Sequence, residues 1–578
     1  MECMRNRLLG LSVVALLAMP TGSVSPKPGI DVLDYMFFVT LSESSDTIAV
    51  NAYVAFKRSA AGPDTLSLNL VGMTVDSVWH ANAGWTMYVP RSDTTCANVI
   101  AEAIKNNSPP TCGKVSPVRF QYDGRVLRIP IDGLLKASPS PDQKYGGVSI
   151  SYHGVPQDGL IRGTNAYGHR VVFADNWPER ARFWLATVDR PADKAWVGFS
   201  VQAPLSWKVV SNGVESVSER PPGRWSWSTR EIPIPTYTMV IGAGEFTVST
   251  HRPGISGRDT IPIEVWTYPE DSAYADSAPF RRATEIVEVM QRLIGPFPYE
   301  NLKHVESSTR FGGMENSSAI FYAEKPYVER KMGEGVVRHE TSHQWFGDAV
   351  TPRDWPHLWL SEGFATYFDG VIGAALDGDT VLANAMRANA DAYFRSDVTD
   401  RPIVDSGYAA DPIKLLNANS YPKGAWVLHM LRGAIGDSAF FRGLRTYYRT
   451  YRDSTATSED FQRVIEKEAR ANLGWFFRQW LHQPGYPQLD VTWRYDAGAR
   501  RVQVGITQRQ KPEWGLFRLP VLTLEFRGAN GATLRRDVAV TGPGRETSAR
   551  FDVPFAPTEV RVDPDGKLLL RVTAIVRR

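Results

Sequence analysis

The chain has 578 residues, of which 43% are apolar and 22% charged, and its formal net charge is +3 at pH 7. This is ordinary globular composition, and the length exceeds what one hydrophobic core usually serves, so we expect about two to four domains. The small net charge and the lack of a dense lysine and arginine block argue against a nucleic-acid-binding surface and a polybasic membrane patch. Composition excludes a disordered or fibrous protein and names no partner.

Residues 1–26 have the pattern of a secretory signal peptide. MECMRNR carries two arginines, LLGLSVVALLAM is an apolar run that is short for a bilayer span, and PTGSVS supplies small residues for cleavage. We therefore expect an exported protein, periplasmic or secreted, with no stable membrane insertion after cleavage. A single membrane anchor is the alternative.

The use of cysteine agrees with export. Only Cys3, Cys96 and Cys112 occur, and Cys3 lies in the predicted signal peptide. The remaining pair would close a short loop, which predicts a Cys96–Cys112 disulfide in an oxidising compartment. Two free buried thiols are the alternative.

Residues 27–250 predict an N-terminal antiparallel β-sheet domain. Short segments rich in valine, isoleucine and aromatics are separated by Gly, Pro, Asn and Asp, as in YMFFVTLS, TIAVNAYVAFK, RVLRIPI, GVSISYHG and AWVGFSVQAP.

Residues 251–487 are mainly helical in pattern. DSAPFRRATEIVEVMQRLIG has helical spacing and ends at Gly-Pro, and similar patterns continue through GEGVVRHETSHQWFGD, LWLSEGFATYFDGVIGAAL, YPKGAWVLHMLRGAIG and SEDFQRVIEKEAR. In residues 488–578, LDVTWRYD, RVQVGITQ, PVLTLEF and RFDVPF return to strand character, which predicts a C-terminal β-sandwich. The predicted fold class is multidomain α+β.

The stretch RHETSHQWFG, starting at Arg338, contains the pattern His-Glu-x-x-His. Residues four apart lie on one face of a helix, so His339 and His343 can bind a single ion, with Glu340 rotated by about 100° beside it. A catalytic zinc needs three protein ligands and an open position. Glu362 of WLSEGFATYF, on the next predicted helix, supplies the third. The sequence thus predicts one zinc ion (Zn2+) per chain; solvated helix residues are the alternative.

Glu340 is left as a carboxylate beside the open position of the predicted zinc site. It can take the proton of a metal-activated water that attacks a carbonyl and later pass a proton to the leaving amine. The predicted chemistry is amide hydrolysis with Glu340 as the general base. These residues alone do not separate endopeptidases from exopeptidases.

Four motifs resemble, in their order, those of the aminopeptidase N group of zinc metallopeptidases (gluzincins), which includes leukotriene-hydrolase-type enzymes. They are FGGMEN, HETSHQWFGD, WLSEGFATYF and SYPKGAWVLHML, and DNWPERARFWLATVDRPADKA upstream is also similar. The resemblance implies a thermolysin-like catalytic domain between the two β domains. It also implies a zinc metallo-aminopeptidase that hydrolyses the N-terminal bond of peptides with a free N-terminus.

The resemblance implies a substrate-binding segment that consists of Gly312, Gly313, Met314, Glu315 and Asn316. It assigns Glu315 to the substrate's α-amino group, and a buried carboxylate does pair strongly with an ammonium. The two glycines suit a close approach of the backbone to the substrate. Without the family, GGMEN would be interpreted as an ordinary glycine loop.

The resemblance also assigns Tyr421 of SYPKGAW to the oxyanion, where a hydroxyl donor stabilises developing charge. Without the family, Tyr421 would be interpreted as a packed helix-start residue. Asp175 and Trp177 lie where the family's N-terminal domain lines the first side-chain pocket, although a tryptophan in a β domain is usually core.

Relatives often carry a large helical C-terminal domain, and we expect this sequence, with its β-sandwich, to lack that domain and its carboxylate-binding arginine. Three other functions remain open at this point. They are a thermolysin-type endopeptidase, an epoxide-hydrolysing enzyme and a binding scaffold without catalysis. Glu315 argues against the first of these, the predicted export against the second, and the intact set of site residues against the third.

Overall fold

The computed structural model describes residues 29–81, 114–132, 135–137, 143–220, 223–229, 232–256 and 259–578. The predicted signal peptide and the predicted Cys96–Cys112 disulfide lie outside the described residues. Within these ranges, no helix is both long enough and apolar enough to cross a bilayer. The described part confirms the multidomain α+β architecture, with β-sheets at both ends and helices between them. The exact domain boundaries stay predictions.

The N-terminal region is built from strands, as the sequence predicts. They are β1 (Ile30–Thr40), β2 (Ile48–Ser59), β3 (Thr65–Asn69), β4 (Thr74–Ala81), β5 (Lys114–Pro117), β6 (Gln121–Tyr122), β7 (Val126–Pro130), β8 (Lys136–Ala137), β9 (Gln143–Gly154), β10 (Leu160–Thr164), β11 (Arg170–Ala174), β12 (Trp196–Ala203), β13 (Lys208–Ser211), β14 (Val214–Arg220), β15 (Gly223–Thr229) and β16 (Ile241–Gly244).

Three sheets arise from these strands. The nine-stranded sheet has the order β14-β15-β12-β1-β2-β9-β4-β5, with β8 paired to β9, and the other two sheets are β10-β11-β16-β13 and β3-β7-β6. Pairing is mainly antiparallel, and β1 runs parallel to β12. Strand β11 leads directly into the segment that contains Trp177, so this region supplies one wall of the cavity described below.

The middle region contains a five-stranded sheet that the sequence analysis did not predict. Its strands are β17 (Thr247–Ser256), β18 (Asp259–Thr267), β19 (Leu302–Ser307), β20 (Gly313–Met314) and β21 (Ala319–Ala323). The order is β17-β18-β19-β21-β20, which leaves β20 at an edge. Strand β19 is fully buried, and so short a buried run cannot be distinguished from a helix by periodicity. The predicted start of the catalytic domain, at residue 251, falls inside β17.

Ten α-helices follow or interrupt this sheet in the described part of the middle region. They are α1 (Ser272–Ser277), α2 (Ala283–Leu293), α3 (Lys325–Val328), α4 (Glu334–His343), α5 (Trp359–Asp377), α6 (Thr380–Arg395), α7 (Gly424–Ile435), α8 (Asp437–Tyr451), α9 (Ser458–Ala469) and α10 (Gly474–Phe477). Two short strands, β22 (Val350–Pro352) and β23 (Ser454–Ala456), pair with each other.

Helix α5 packs against both α4 and α7, and it is largely apolar and buried along its length. The predicted helix through HETSHQWFGD ends at His343, because the chain then turns to Gly347 at φ +125°. The segment YPKG, predicted as the start of a helix, instead forms a π-helical turn, Asn419–Lys423, in front of α7. These two departures are local, and both lie beside the candidate site.

The C-terminal region forms the predicted β-sandwich. Its strands are β24 (Gln488–Asp496), β25 (Arg501–Gln508), β26 (Leu519–Gly528), β27 (Thr533–Val540), β28 (Glu546–Asp552), β29 (Pro557–Val562) and β30 (Arg571–Arg577). They form two sheets, β28-β25-β24-β30 and β27-β26-β29. The sheets pack through contacts such as Phe526 with Phe551, whose ring centroids are 5.8 Å apart.

Candidate metal centre and active site

His339 and His343 project from the same face of α4, one turn apart. Their Nε2 atoms are 3.1 Å from each other. Glu362 lies in the first turn of α5, and its Oε2 atom is 3.4 Å from Nε2 of His339 and 3.3 Å from Nε2 of His343. The three atoms predicted as ligands therefore converge on one point between two packed helices.

The converging atoms fit a tetrahedrally bound zinc ion. Ligands at about 2.0–2.1 Å from a tetrahedral ion are roughly 3.3–3.4 Å from each other, close to the observed separations. Among the described residues, no donor forms a hydrogen bond with the buried Oε2 atom of Glu362. Burial raises the pKa of Glu362, but the neighbouring His343 and His339 outweigh this effect and hold the pKa at about 2. Glu362 is thus an anion with a lone pair aimed at the centre.

His343 is oriented by groups behind it. Its Nδ1 atom is 3.2 Å from the carbonyl oxygen of Phe346 and 3.0 Å from Oγ of Ser361. A Cβ atom built on Gly347 would lie 2.4 Å from Oγ of Ser361 and 2.9 Å from Nδ1 of His343, so a side chain at position 347 would disrupt this arrangement. A hydrogen bond donated from Nδ1 leaves Nε2 unprotonated and free to bind a metal.

Glu340 reaches the centre beneath the edge strand β20. Its side chain is buried, and a Cβ atom built on Gly313 would lie 2.2 Å from Oε1 of Glu340. Gly313 is therefore required because the carboxylate passes against its backbone. Ligand-type atoms of Glu315, Glu340 and His343 all lie within 4.8 Å of one another. The predicted base and the predicted amine-recognition residue share one small space.

Glu315 is tied to the metal-ligand helix by Gln344, which follows His343 in sequence. The Nε2 atom of Gln344 donates to the carbonyl oxygen of Glu315 at 3.1 Å. The backbone N–H of Ser318 donates to Oε1 of Gln344 at 2.7 Å. The same amide group donates to Oδ2 of Asp348 at 2.9 Å. The sequence analysis missed Gln344 as a positioning residue, and its place directly after the motif was the only available signal.

The cavity concentrates carboxyl groups. Burial raises the pKa of Glu315 to about 7, with Glu362 adding to the effect and His343 opposing it. Burial is also the main reason that the pKa of Glu340 is raised well above its usual value, and the two neighbouring carboxylates raise it further. Three carboxyl groups this close can all be ionised together only when cations are present. A divalent ion and a substrate ammonium would supply that charge.

Tyr421 reaches the centre from the π-helical turn. Its ring stacks on His339 with centroids 6.1 Å apart and an interplanar angle of 10°. Burial and the nearby Glu362 carboxylate raise the pKa of Tyr421 well above its usual value, so the hydroxyl keeps its proton. The turn can approach because Gly363 meets Gly424: a Cβ atom on Gly363 would lie 2.8 Å from Cα of Gly424.

These groups line one cavity of about 220 Å³. Its lining includes every predicted site residue except Asn316 and Asp175, and it adds Phe311 and Leu416, which were not predicted from the sequence. The lining residues are Trp177, Phe311, Gly312, Gly313, Met314, Glu315, His339, Glu340, His343, Glu362, Leu416 and Tyr421.

Three sequence-predicted residues differ in their placement around the cavity. Asn316 is fully buried outside the lining, and the described residues provide no hydrogen bond to its side-chain atoms. Trp177 lines the cavity, as the resemblance implies. Asp175 is buried outside the lining and pairs with Arg180 at 3.0 Å.

Part of the chain matches the model of a known peptidase family. Residues 280–480 match the peptidase family M1 domain. A probable aminopeptidase 2 of Sulfurisphaera tokodaii is 30% identical over 369 residues, which are 60% of this chain and 46% of the relative. The chain thus spans about half the length of this curated relative.

Solved structures share the fold. Aminopeptidase A of Legionella pneumophila, in complex with aspartic acid, aligns with a TM-score of 0.75 at 17% identity, over 95% of this chain and 60% of that one. An M1 zinc metallopeptidase of Deinococcus radiodurans aligns with a TM-score of 0.63 at 22% identity, over 80% and 95% of the two chains. The match of residues 280–480 to the peptidase family M1 domain confirms the family resemblance of the motifs in that range.

Proposed function

We propose that the protein is a zinc-dependent aminopeptidase that hydrolyses the N-terminal peptide bond of peptides. The observation that carries this proposal is the convergence of His339, His343 and Glu362 in one cavity with Glu340 and Glu315. The family domain and the aminopeptidase names of relatives support it.

The metal would be held by Nε2 of His339, Nε2 of His343 and Oε2 of Glu362, one zinc ion per chain. Bound zinc supplies Lewis acidity, which lowers the pKa of a water toward about 7 and polarises a carbonyl group. The hydrogen bonds behind His343 keep its ring in the orientation that such binding requires.

Glu340 would act as the general base and then as the acid. Its carboxylate accepts a proton from the attacking water while the C–O bond forms at the scissile carbonyl carbon. It then delivers the proton to the departing amine nitrogen as the C–N bond breaks. A carboxylate oxygen of Glu340 lies within 4.8 Å of a ligand-type nitrogen of His343, and this proximity supports both roles.

Tyr421 would stabilise the negative charge that develops on the carbonyl oxygen. Its hydroxyl stays protonated and can donate a hydrogen bond from a buried turn. A preorganised donor of this kind is worth about 3 kcal/mol in the barrier.

Glu315 would accept hydrogen bonds from the substrate's α-ammonium group, with Gly312, Gly313 and Met314 forming the adjoining wall. A buried carboxylate favours the binding of a substrate with a charged amine. It disfavours a substrate with a blocked amine, because that substrate leaves the carboxylate unpaired. For Asn316 we propose an indirect part in substrate binding, since its carbonyl oxygen accepts the N–H of Ala319 at 2.9 Å and shapes the turn after Glu315.

Hydrolysis of leucine p-nitroanilide by the purified protein tests the proposal. A strong chelator should abolish activity, one equivalent of zinc should restore it, and N-acetyl-leucine p-nitroanilide should remain intact. Full activity of metal-stripped protein would exclude a zinc enzyme. Cleavage of internal bonds in N-acetylated peptides at comparable rates would favour an endopeptidase, and zinc-loaded protein without any hydrolysis would favour a binding scaffold.

We also propose that the protein is exported and acts on peptides outside the cytoplasm. The support is the signal-peptide pattern of residues 1–26. N-terminal sequencing of the protein recovered from its native cells should find cleavage near residue 26. Retention of the apolar run at the mature N-terminus would contradict the proposal and favour a membrane anchor.

A further inference from the structure

We infer that this site selects substrates whose N-terminal side chain is apolar or aromatic and uncharged, with Leu416 as a specificity-determining residue. The inference rests on the proposed aminopeptidase function and adds the class of N-terminal residue. Some residues of the cavity lining have a role in the proposed reaction, and the others are left to contact the substrate's first side chain.

Most of the polar lining is already used in the proposed reaction. His339, His343 and Glu362 bind the metal, Glu340 handles the proton, and Glu315 and Tyr421 contact the amine and the carbonyl oxygen. The remaining side chains of the lining are those of Trp177, Phe311, Met314 and Leu416. All four are apolar, so the side chain of the first substrate residue has only apolar groups left to contact.

Aromatic packing makes part of this wall rigid. The ring of Trp177 packs edge to face against Phe311, with ring centroids 6.0 Å apart. It also packs against Trp355, with ring centroids 5.2 Å apart. Trp355 is itself fixed, because its Nε1 donates to Oε1 of Glu179 at 2.9 Å. A polar substrate side chain could not push this wall aside to reach solvent without breaking these contacts.

A group of charged residues next to Phe311 and Trp177 forms ion pairs within itself. Arg180 contacts Asp175 at 3.0 Å and Asp158 at 3.2 Å, and it donates to the carbonyl oxygen of Trp177 at 2.7 Å. Arg310 contacts Asp158 at 2.7 Å and Asp175 at 3.5 Å. Two arginines and two aspartates cancel in charge, so this cluster offers neither a cation nor an anion to a substrate side chain.

An acidic first residue would face a further cost in this cavity. The carboxylates of Glu315 and Glu340 already lie close together there, and a third substrate-facing anion would be repelled by both. A lysine side chain would lose its hydration against four apolar groups without gaining a partner. An apolar or aromatic side chain meets neither penalty.

A panel of p-nitroanilides with one leaving group tests the order of preference. We expect kcat/KM for the phenylalanine and leucine substrates to exceed that for the glutamate and lysine substrates by about a hundredfold or more. Faster hydrolysis of the glutamate or lysine substrate would overturn the inference. A selective loss of glutamate hydrolysis in Arg310→Gln would overturn it as well, because it would show that the half-exposed Arg310 recruits an anion.

Leu416→Ala tests the assigned residue. We expect kcat/KM for the phenylalanine and leucine substrates to fall about tenfold and that for the alanine substrate to stay within about threefold, since only larger side chains reach the truncated wall. Leu416→Met, which conserves volume, should keep the wild-type ratio. Ile413→Ala is the matched control, because Ile413 lies in the preceding 3-10 turn, is 50% exposed and does not line the cavity.

These outcomes separate the inference from the proposed function. If no anilide is hydrolysed, or if Glu340→Gln leaves every rate unchanged, the proposed function fails. If hydrolysis depends on Glu340 but charged substrates are preferred, or Leu416→Ala behaves like Ile413→Ala, only the inference fails.

Discussion

The site has two halves that are held in different ways. In the metal-ligand half, His339 and His343 lie one turn apart on α4, and Glu362 lies in the first turn of the adjacent helix. In the recognition half, Glu315 follows a two-residue edge strand and Tyr421 lies in a π-helical turn. Helix geometry positions most of the first half, whereas individual contacts between distant segments position the second.

The difference between the halves predicts different consequences of mutation. Damage to the metal-ligand half should reduce zinc content together with activity, because binding needs all three ligands. Damage to the recognition half should leave zinc bound and lower the rate, because Glu315 and Tyr421 are not among the proposed ligands. Each of the following variants should keep its metal, and each changes a different feature of the site.

Glu340→Gln should have the largest effect. The amide keeps the shape of the side chain but cannot accept the proton from water, so we expect kcat to fall by about two to four decades with zinc content unchanged. Turnover measured beside metal analysis checks this. Near-normal turnover would show that Glu340 is not the base, and loss of zinc would place it in the metal-ligand half.

Glu315→Ala should come next. The substrate ammonium loses its partner, and the scissile carbonyl is no longer held in position for attack. We therefore expect kcat/KM for free-amine substrates to fall by an amount equivalent to roughly 2–5 kcal/mol of transition-state stabilisation. The ratio of free-amine to N-acetylated substrate hydrolysis should fall with it. An unchanged ratio would contradict amine recognition by Glu315.

Gly424→Ala should displace Tyr421. The added methyl group would lie 2.9 Å from Cα of Gly363, so the π-helical turn must move away from α5. A shift of about 1 Å in a reacting group can cost a hundredfold in rate, and we expect a tenfold to hundredfold loss of kcat. Gly433→Ala is the control, since Gly433 lies in the same helix with open space around it. Equal behaviour of the two variants would show that the close glycine contact does not position Tyr421.

Lys423→Met should change stability in a pH-dependent way. Lys423 lies in the π-helical turn, fully buried, and burial lowers its pKa to about 7. Between pH 7 and roughly 10.4 the unfolded chain binds more protons at this lysine, so wild-type stability gains with rising pH in that window. The melting temperature of Lys423→Met relative to wild type should therefore decrease between pH 7 and pH 9, by about 2 °C or more.

The exposed lysine of the preceding 3-10 turn provides the control for this measurement. Lys414 has 61% of its side chain exposed, and Lys414→Met should show the same difference from wild type at both pH values. A Lys423→Met difference that is constant or grows with pH would contradict the burial argument.

Secondary-structure elements were predictable where their sequence patterns were long. The elements with short patterns were missed. Segments of strand character predicted both β regions, and the helical pattern of LWLSEGFATYFDGVIGAAL predicted α5. Strands β19 and β21 have six and five residues, and buried runs of that length carry no periodicity that separates strand from helix. The π-helical turn was missed because Pro422 and Gly424 predict only an ordinary helix start.

The sequence by itself determined that His339 and His343 lie on one face, because their spacing on a helix fixes that face whatever the surroundings. It also identified Glu340, Glu362, Glu315 and Tyr421 as candidates. Only the tertiary structure decided how they meet. Gly363 meets Gly424 and Gln344 reaches the carbonyl of Glu315, and such contacts join segments that are distant in sequence. Local patterns follow from the period of a helix or strand, whereas close packing depends on the whole fold.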